Sequence, residues 1–290
     1  MKDMQTYRVA GFRFIVEGER PQVSNLDPFI TDTEEGELLF TLSVVKELPL
    51  AVTTPYFTTD DGPGFPEISI DRFEDGGWRF RVRPLPGRPV AGDLRCDKEF
   101  HHAELVLTSV DDAFALNNSL MLLFAFSSAH KGLLEMHASV VMNEGKGYLF
   151  LGKSGTGKST HSSLWLKHIE GSELMNDDNP VLRVGEDGVT RVYGSPWSGK
   201  TPCYRKVEVP IGGIVRLEQA PKNEVAQIAG IKAYANVIAS AASIRWRKDI
   251  MDALSKTAEI VVTLTPCWHL KCLPDADAAL TCKQAVTAGS

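Results

Sequence analysis

The sequence is poor in cysteine, and the cysteines it has are not spaced for a shared site. There are five among 290 residues, an odd number, and no C-x-x-C pair occurs. A disulfide framework or a zinc site needs paired or closely spaced cysteines, so the pattern argues against both. Reduced thiols are typical of the cytosol, and we therefore expect a cytoplasmic protein.

A basic excess and a long apolar run are also missing. Lys and Arg number 31 against 37 Asp and Glu, for a net charge of −6, whereas general nucleic-acid binders carry a basic excess or stripe. The most apolar run, from Leu120 to Phe126, is far shorter than the roughly 20 residues that cross a bilayer. Residues 1–20 lack the apolar core of a signal peptide. We therefore expect neither nucleic acid nor a membrane as a partner.

The patterns that are present divide the chain into two parts. In residues 1–115, short apolar runs alternate with Gly, Pro and Asp, and "EDGGW" at 74–78 is typical of a hairpin turn. Residues 116–290 combine helical and strand patterns. We predict a mixed α/β protein in which a β-rich N-terminal module, 1–115, precedes a second domain, 116–290.

Within the second domain, several segments have a clear character. Residues 117–134 predict a buried helix, because they are apolar on most faces after an Asn/Ser start. Residues 135–151 indicate a strand, a turn and a second strand. Residues 223–254 favour one or two helices, 258–272 a late strand or strand pair, and 275–286 a final helix with an Asp start.

Two glycine-rich segments match the pattern G-x-x-x-x-G-K-[ST], in which backbone N–H groups cradle phosphate. They are "GKSGTGKS", 152–159, and "GSPWSGKT", 194–201. A phosphate loop needs an apolar strand before it and a helix after it, so that the N-terminus of the helix faces the anion. The first match has both, since "YLFL" precedes it and "STHSSLWLKHI" follows.

The second match fails as a phosphate loop. Pro196 removes an N–H donor inside it, and Pro202 pushes Thr201 away from helical geometry. We therefore predict that the first match binds a nucleotide. The residues of this cradle are Gly152, Lys153, Ser154, Gly155, Thr156, Gly157, Lys158, Ser159 and Thr160.

The second match still carries charge. It contributes a small cationic loop made of Ser198, Gly199, Lys200, Thr201 and Arg205. One interpretation is a surface turn, and the other is a role near the phosphates or the acceptor, with Lys200 and Arg205 as the cations. The sequence leaves both open.

A phosphate loop also needs a carboxylate near Mg²⁺, and Asp177 and Asp178 follow a short apolar run soon after the loop helix. Adjacent residues point in different directions, so one carboxylate can face the metal while the other removes the proton of an incoming hydroxyl. The residues do not say which does which. His137, before the loop, would by itself more often be structural, and we interpret His161, after it, as structural.

Three elements in this order, "HAS", "GKSGTGKST" and "NDDNP", resemble HPr kinase/phosphorylase and its relatives, which share a nucleotide site with ATP-dependent phosphoenolpyruvate carboxykinase. The similarity spans residues 137–205. It implies a carboxykinase-like and HPr kinase-like P-loop fold for the second domain, with ATP and Mg²⁺ as ligands. By the same resemblance, Lys158 and Ser159 serve ATP and Mg²⁺ and His137 is an active-site histidine. The resemblance also implies that Asp178 takes the acceptor proton and that Asp177 lies beside the metal or the γ-phosphate.

The chain departs from the family at one point. HPr kinases carry a Glu-containing segment after the aspartate pair that contributes to metal binding, whereas 191–200, "RVYGSPWSGK", has no Glu. The second metal ligand and the reverse phosphorylase reaction are therefore left open. Lys200 and Arg205 are the candidates to replace part of that charge stabilisation.

We predict an ATP-dependent kinase that transfers the γ-phosphoryl group to a hydroxyl of the serine type in a protein or peptide. Two alternatives stay open: a nucleotide-binding regulatory module without transfer, and a kinase for a small molecule such as free serine. HPr kinases form hexamers, so the resemblance leaves a homo-oligomer open as well.

Overall fold

The computed structural model describes residues 3–59, 62, 64–199, 201–242 and 247–288. The chain forms two compact units, Met1–Ser127 and Ser128–Ser290, and the division between them falls at the end of the first α-helix. No helix within the described ranges is both long and apolar enough to cross a membrane.

In its described residues, the first unit is a mixed sheet with one α-helix. Its strands are β1 (Met4–Val9), β2 (Phe12–Glu17), β3 (Leu38–Val45), β4 (Thr53–Thr58), β5 (Glu67–Phe73), β6 (Trp78–Arg83), β7 (Gly92–Cys96) and β8 (His102–Leu107). They are ordered β1-β2-β3-β8-β7-β6-β5-β4, with parallel pairs at β2-β3 and β3-β8 and antiparallel pairs elsewhere. A 3₁₀ helix spans Ser24–Phe29, and α1 spans Asp112–Ser128.

Alternation of buried and exposed side chains builds this sheet. Along β2 and β6 every second residue is buried, as expected for a sheet with one covered face. The predicted hairpin at 74–78 is confirmed: it joins β5 to β6, and Gly76 has a φ of 87°, which glycine adopts readily. The helix α1 supplies Phe124, which meets the ring of Phe14 on β2.

The second unit contains the remaining elements. Its strands are β9 (Leu133–Glu135), β10 (Ala138–Asn143), β11 (Lys146–Leu151), β12 (Glu173–Asp178), β13 (Val181–Val184), β14 (Thr190–Tyr193), β15 (Glu208–Gln219), β16 (Glu224–Ile228) and β17 (Cys267–Cys272). Its α-helices are α2 (Lys158–His168), α3 (Gly230–Ser240), α4 (Lys248–Leu264) and α5 (Ala276–Ala288), and a 3₁₀ helix spans Ala129–Lys131.

These strands form one mixed sheet in the order β12-β10-β11-β15-β14-β13-β9, and β15 also pairs with β17, which pairs with β16. The pairs β11-β15 and β15-β17 are parallel, so the carboxyl ends of β11, β15 and β17 lie at one edge. One face of this part of the sheet is covered by α2 and α5, whose Trp165 and Val286 are fully buried against Phe150, Val215 and Leu270. The chain is therefore a mixed α/β protein, as the sequence predicts.

Three helix and strand predictions need correction. The helix expected at 117–134 begins earlier, at Asp112, and ends at Ser128, because residues 133–135 pair with β13. Within 223–254, residues 224–228 form β16 before α3 begins at Gly230.

The third correction concerns 258–272, where the first seven residues, 258–264, complete α4 and only 267–272 form a strand. A β-branched run such as "IVVTL" suits a strand by propensity, and tertiary packing of a helical apolar face overrides that preference. The final helix is confirmed as α5.

Candidate functional site

The first glycine loop connects β11 to α2. Gly155 and Gly157 have φ angles of 80° and 106°, which side chains rarely permit, and α2 begins at Lys158 directly afterwards. A Cβ on Gly152 would lie 2.9 Å from Cβ of Thr156, so that position also requires glycine. The loop therefore has the positive-φ turns and the following helix N-terminus that form an anion-binding concavity.

The strand β10 joins this loop to the aspartate pair. Ala138, at the start of β10, aligns with Leu151 on β11 and with Asp178 on β12 in antiparallel pairings. His137 directly precedes Ala138, and Gly152 directly follows Leu151. Residues distant in sequence are thus brought to one edge of the sheet.

Asp177 and Ser159 face each other at this edge. Ser159 Oγ donates a hydrogen bond to Asp177 Oδ1 over 2.9 Å, and the backbone N–H of Thr201 donates to Asp177 Oδ2 over 3.2 Å. Asp177 is only 3% exposed. The pair offers two hard oxygen donors of the kind that Mg²⁺ prefers.

Lys158, His137 and Asp178 form a chain of polar contacts. Lys158 Nζ lies 2.8 Å from His137 Nε2 and donates to the carbonyl oxygen of Gly152 over 3.1 Å. The same His137 Nε2 lies 3.1 Å from Asp178 Oδ1. Whether this nitrogen accepts from Lys158 or donates to Asp178 depends on the tautomer of the imidazole ring.

The position of Lys158 perturbs its ammonium group. Burial lowers the pKa of Lys158 from its ordinary 10.5, the carboxylates of Asp178 and Asp177 oppose that change, and the positive charge of Arg216 adds to it. The side chain is 9% exposed. An anion bound in front of the loop would favour the charged form of Lys158.

Asp178 has an unusual backbone. Its φ of 147° lies in a region that residues other than glycine rarely adopt, which costs on the order of 1–3 kcal/mol. Ser198 forms an isolated β-bridge with it, and the N–H of Gly199 bonds to the carbonyl oxygen of Asp177. The turned backbone separates the two carboxylates, so that Asp177 meets Ser159 while Asp178 meets His137.

The second glycine segment is not followed by a helix among its described neighbours, residues 201–207. Ser198, Gly199 and Thr201 nevertheless lie against the backbone or carboxylate of Asp177. Lys200 lies outside the described residues. Arg205 is not brought to the site: its guanidinium bonds to Glu173 and to the carbonyl oxygen of Leu174, at the opposite end of β12 from the aspartates.

The other loop residues differ in exposure. Lys153, Ser154 and Thr160 are exposed, whereas His161 is buried and accepts a hydrogen bond from Trp165 Nε1 over 3.1 Å. Burial lowers the pKa of His161 to about 4, so the ring is neutral at pH 7. Among the described residues, no three His, Cys, Asp or Glu side chains cluster as a metal site. A metal held here would depend on Ser159 and Asp177 together with ligands from elsewhere.

A cleft beside the loop escaped sequence reasoning. It has a volume of about 570 Å³ and lies where β15 and β17 end, next to the first turns of α2. Its walls include Gly155, Thr156, Gly157, Thr160, Leu164, Leu217, Gln219, Pro221, Leu273 and Pro274. Gln219 ties one wall to the loop, since its Nε2 donates to the carbonyl oxygen of Gly155 over 3.2 Å. Ligands of α/β sheets commonly bind outside the carboxyl ends of parallel strands, which is the signal that predicts this location.

Glu135 was also missed. It is 3% exposed, and neither carboxyl oxygen has a hydrogen-bond partner among the described residues. Burial raises the pKa of Glu135 well above its ordinary value, and the nearby carboxylate of Asp178 raises it further. Its sequence neighbours "LLEMH" contain no signal for this, because only the tertiary fold buries the side chain.

Comparison with known proteins adds little. The sequence matches no family model and no curated protein. Among the solved structures that match is the HPr(Ser) kinase/phosphatase from Coxiella burnetii, at 12% identity over 53% of this chain and 95% of that chain, with a TM-score of 0.32. A likeness of this degree carries no functional conclusion.

Proposed function

We propose that the protein is an ATP-dependent kinase that transfers the γ-phosphoryl group to a hydroxyl. The observation that carries the proposal is the convergence of Lys158, His137 and both aspartates on a glycine loop at one sheet edge. Few other chemistries need a helix N-terminus for an anion, a Lys beside it and two separated carboxylates. By resemblance, the second unit has a carboxykinase-like and HPr kinase-like P-loop fold.

The glycine loop and the cleft beside it would together hold the nucleotide. The glycine loop and α2 supply N–H donors for the phosphates, and the cleft beside Thr160 and Leu164 is partly apolar, as a nucleoside site should be. Ser159 Oγ and Asp177 Oδ1 are the oxygens that fit Mg²⁺. When bound, Mg²⁺ would neutralise charge on the phosphate oxygens.

The transfer step uses Asp178 as the base. The acceptor oxygen forms a bond to the γ-phosphorus while the bond from that phosphorus to the bridging β–γ oxygen breaks, and ADP leaves with the electron pair. The proton of the acceptor hydroxyl passes to the Asp178 carboxylate, from which His137 is 3.1 Å away. The side chains of Asp178 and His137 are 35% and 45% exposed, so an acceptor can approach them.

The acceptor we propose is a serine-type hydroxyl of a protein or peptide. The open approach to Asp178 and the resemblance to HPr kinase support a macromolecular acceptor. A small hydroxyl compound such as free serine is the alternative, and it would use the same base.

Single substitutions test the assignment. We expect Lys158→Ala to weaken ATP binding by about 10- to 100-fold and to abolish transfer. Asp178→Asn should keep ATP affinity within about 3-fold and lower transfer by about 100-fold or more, because only the base is lost. Calorimetry with ATP and magnesium measures the first quantity, and labelled γ-phosphate measures the second.

Matched controls are Lys167→Ala, near the C-terminal end of α2, and Asp252→Asn, on α4; both residues are exposed. Both should behave as the unaltered protein. Label in a protein of a cell extract supports the protein acceptor, and label in a low-mass product supports the small-molecule acceptor. ATP binding without any labelled product would favour a nucleotide-binding regulatory module over a kinase. Full transfer by Asp178→Asn would show that Asp178 is not the general base.

A further inference from the structure

Arg216 lies near the carboxyl end of β15, beside the strand that leads into the glycine loop. In the parallel pairing of β15 with β11, Arg216 aligns with Leu151, the residue directly before Gly152. Paired strands lie about 5 Å apart, and an arginine side chain is longer than that. The guanidinium can therefore reach the space in front of the loop from the neighbouring strand.

The strand directs Arg216 to the same face as the catalytic carboxylate. Its neighbours Val215 and Leu217 belong to the apolar core beneath α2 and α5, and successive side chains of a strand point to opposite faces. Arg216 thus points away from that core. Aligned residues of paired strands share a face of the sheet. Arg216 aligns with Leu151, Leu151 with Ala138, and Ala138 with Asp178. Arg216 and Asp178 therefore lie on the same face.

The Arg216 guanidinium has no partner among the residues that the structure describes. Arg216 is half-buried, and its side chain makes no hydrogen bond or ion pair with any residue in the described part of the chain. Glu218, two positions along the strand, lies 2.9 Å from His269 Nε2 instead. A half-buried guanidinium with all its donors unpaired is suited to an anionic ligand that presents several oxygens.

The positive charges of Lys158 and Arg216 are close enough to interact. The positive charge of Arg216 contributes to lowering the pKa of Lys158, whereas the charges of Asp178 and Asp177 raise it. Two neighbouring cations repel each other until an anion lies between them. The P-loop Lys is the residue that reaches the terminal phosphates in such sites, so that anion would be a phosphate.

We infer that Arg216 binds the terminal phosphate of the nucleotide, as a second fixed cation beside Lys158. The inference rests on the proposed nucleotide site. The cleft proposed for the nucleoside involves Leu217 and Leu164, on the α2 face, whereas Arg216 is on the face of Asp178. Arg216 therefore meets the terminal phosphate, which is transferred, and not the nucleobase. During transfer the planar fork of Arg216 stabilises the charge on the phosphoryl oxygens without forming a covalent bond.

Nucleotide affinities test this inference apart from turnover. Calorimetry in the presence of magnesium compares ADP with the β,γ-methylene analogue of ATP on four full-length proteins: the unaltered chain, Arg216→Gln, Arg216→Lys and Lys271→Gln. We expect Arg216→Gln to weaken binding of the analogue by about 10- to 100-fold and binding of ADP by less than about 3-fold. The affinity of Arg216→Lys for the analogue should lie between those of Arg216→Gln and the unaltered chain, because lysine keeps the positive charge but lacks the planar guanidinium. Lys271→Gln removes an exposed cation from β17 and should change neither affinity.

Each outcome decides between specific statements. Equal affinities of Arg216→Gln and the unaltered chain for both ligands would overturn the inference. So would an equal loss for both ligands, which indicates a general loss of charge. If Arg216→Gln changed only the concentration of acceptor needed for transfer, the anion would belong to the acceptor and the inference would be wrong. If the unaltered chain bound neither ligand, the proposed function itself would fail. Circular dichroism of each variant excludes misfolding, and Arg216→Lys carries the test if Arg216→Gln does not fold.

Discussion

Adjacent aspartates take different partners at this site because the backbone turns between them. Asp177 is buried against Ser159, and Asp178 reaches His137 from a backbone with a φ of 147°. Strained backbone of this kind persists where surrounding contacts hold it, and it is common at functional sites. Glu135 adds a third carboxyl group close enough to Asp178 for their charges to interact, yet without a hydrogen bond of its own among the described residues.

The buried carboxyl of Glu135 should make stability depend on pH. Its pKa is raised in the folded protein, so the folded state keeps a proton that the unfolded state releases above about pH 4.5. Stability is therefore full below that pH and is lost as the pH rises toward the folded pKa. Glu135→Gln removes this ionisable group. The free energy of unfolding of the variant minus that of the unaltered protein should therefore increase as the pH rises, by up to about 1.4 kcal/mol per pH unit.

Urea unfolding at pH 4, 5, 6 and 7 measures this change. The difference in unfolding free energy between Glu135→Gln and the unaltered protein should be smallest at pH 4 and grow toward pH 7. Glu186→Gln, which alters an exposed glutamate of the same unit, is the control and should give a constant difference. Parallel pH profiles for Glu135→Gln and the unaltered protein would mean that Glu135 is ionised in the folded state.

At the scale of elements, β12 and the segment after β14 together position the carboxylates. Ser198 and Gly199 pair with the last residues of β12, so part of the second glycine match holds Asp177 and Asp178 in place. A Cβ on Gly199 would lie 2.9 Å from the carbonyl oxygen of Asp177 and 3.1 Å from Cβ of Asp178. Glycine is required there for close approach of the two segments.

Gly199→Ala should displace the aspartate pair while leaving the glycine loop intact. Since a shift of about 1 Å can reduce a rate about 100-fold, we expect a loss of transfer of that order, with ATP affinity nearly unchanged. Steady-state transfer and calorimetry give the two values. Gly64→Ala, where an added Cβ meets nothing within 4 Å, is the control. A normal transfer rate in Gly199→Ala would show that the Ser198–Gly199 contact does not position the carboxylates.

At the scale of the whole molecule, the described residues of the candidate site all belong to the unit Ser128–Ser290. That unit has its own sheet and its own core, which packs Trp165, Phe150 and Trp268 together. The first unit has a separate sheet, β1–β8. Nucleotide binding should therefore be a property of the second unit.

A fragment of residues 128–290 should bind ATP and magnesium with the affinity of the full chain, within about 3-fold. Ligand at 100 times its dissociation constant should stabilise the fragment by about 2.7 kcal/mol. Thermal unfolding with and without nucleotide measures this, and the same fragment carrying Lys158→Ala is the control. A folded fragment without nucleotide affinity would place a necessary group in the first unit.

What the sequence alone determined is local. The prolines at 196 and 202 decide which glycine segment can precede a helix, because proline lacks an N–H and restrains the residue before it. The alternating runs of the first unit and the final helix are local patterns too. The sequence also puts His137, the loop and the aspartates forward as candidates, with their roles still proposals.

Only the tertiary structure decided which groups meet. Registers between distant strands bring Ala138 opposite both Leu151 and Asp178, and bring Arg216 beside the loop. They also leave Arg205 at the far end of β12. Local patterns contain no information on such pairings, and they cannot tell that Glu135 is buried or that 258–264 is helical. Those outcomes depend on which surfaces pack together, since burial is a property of the assembled chain and not of a segment.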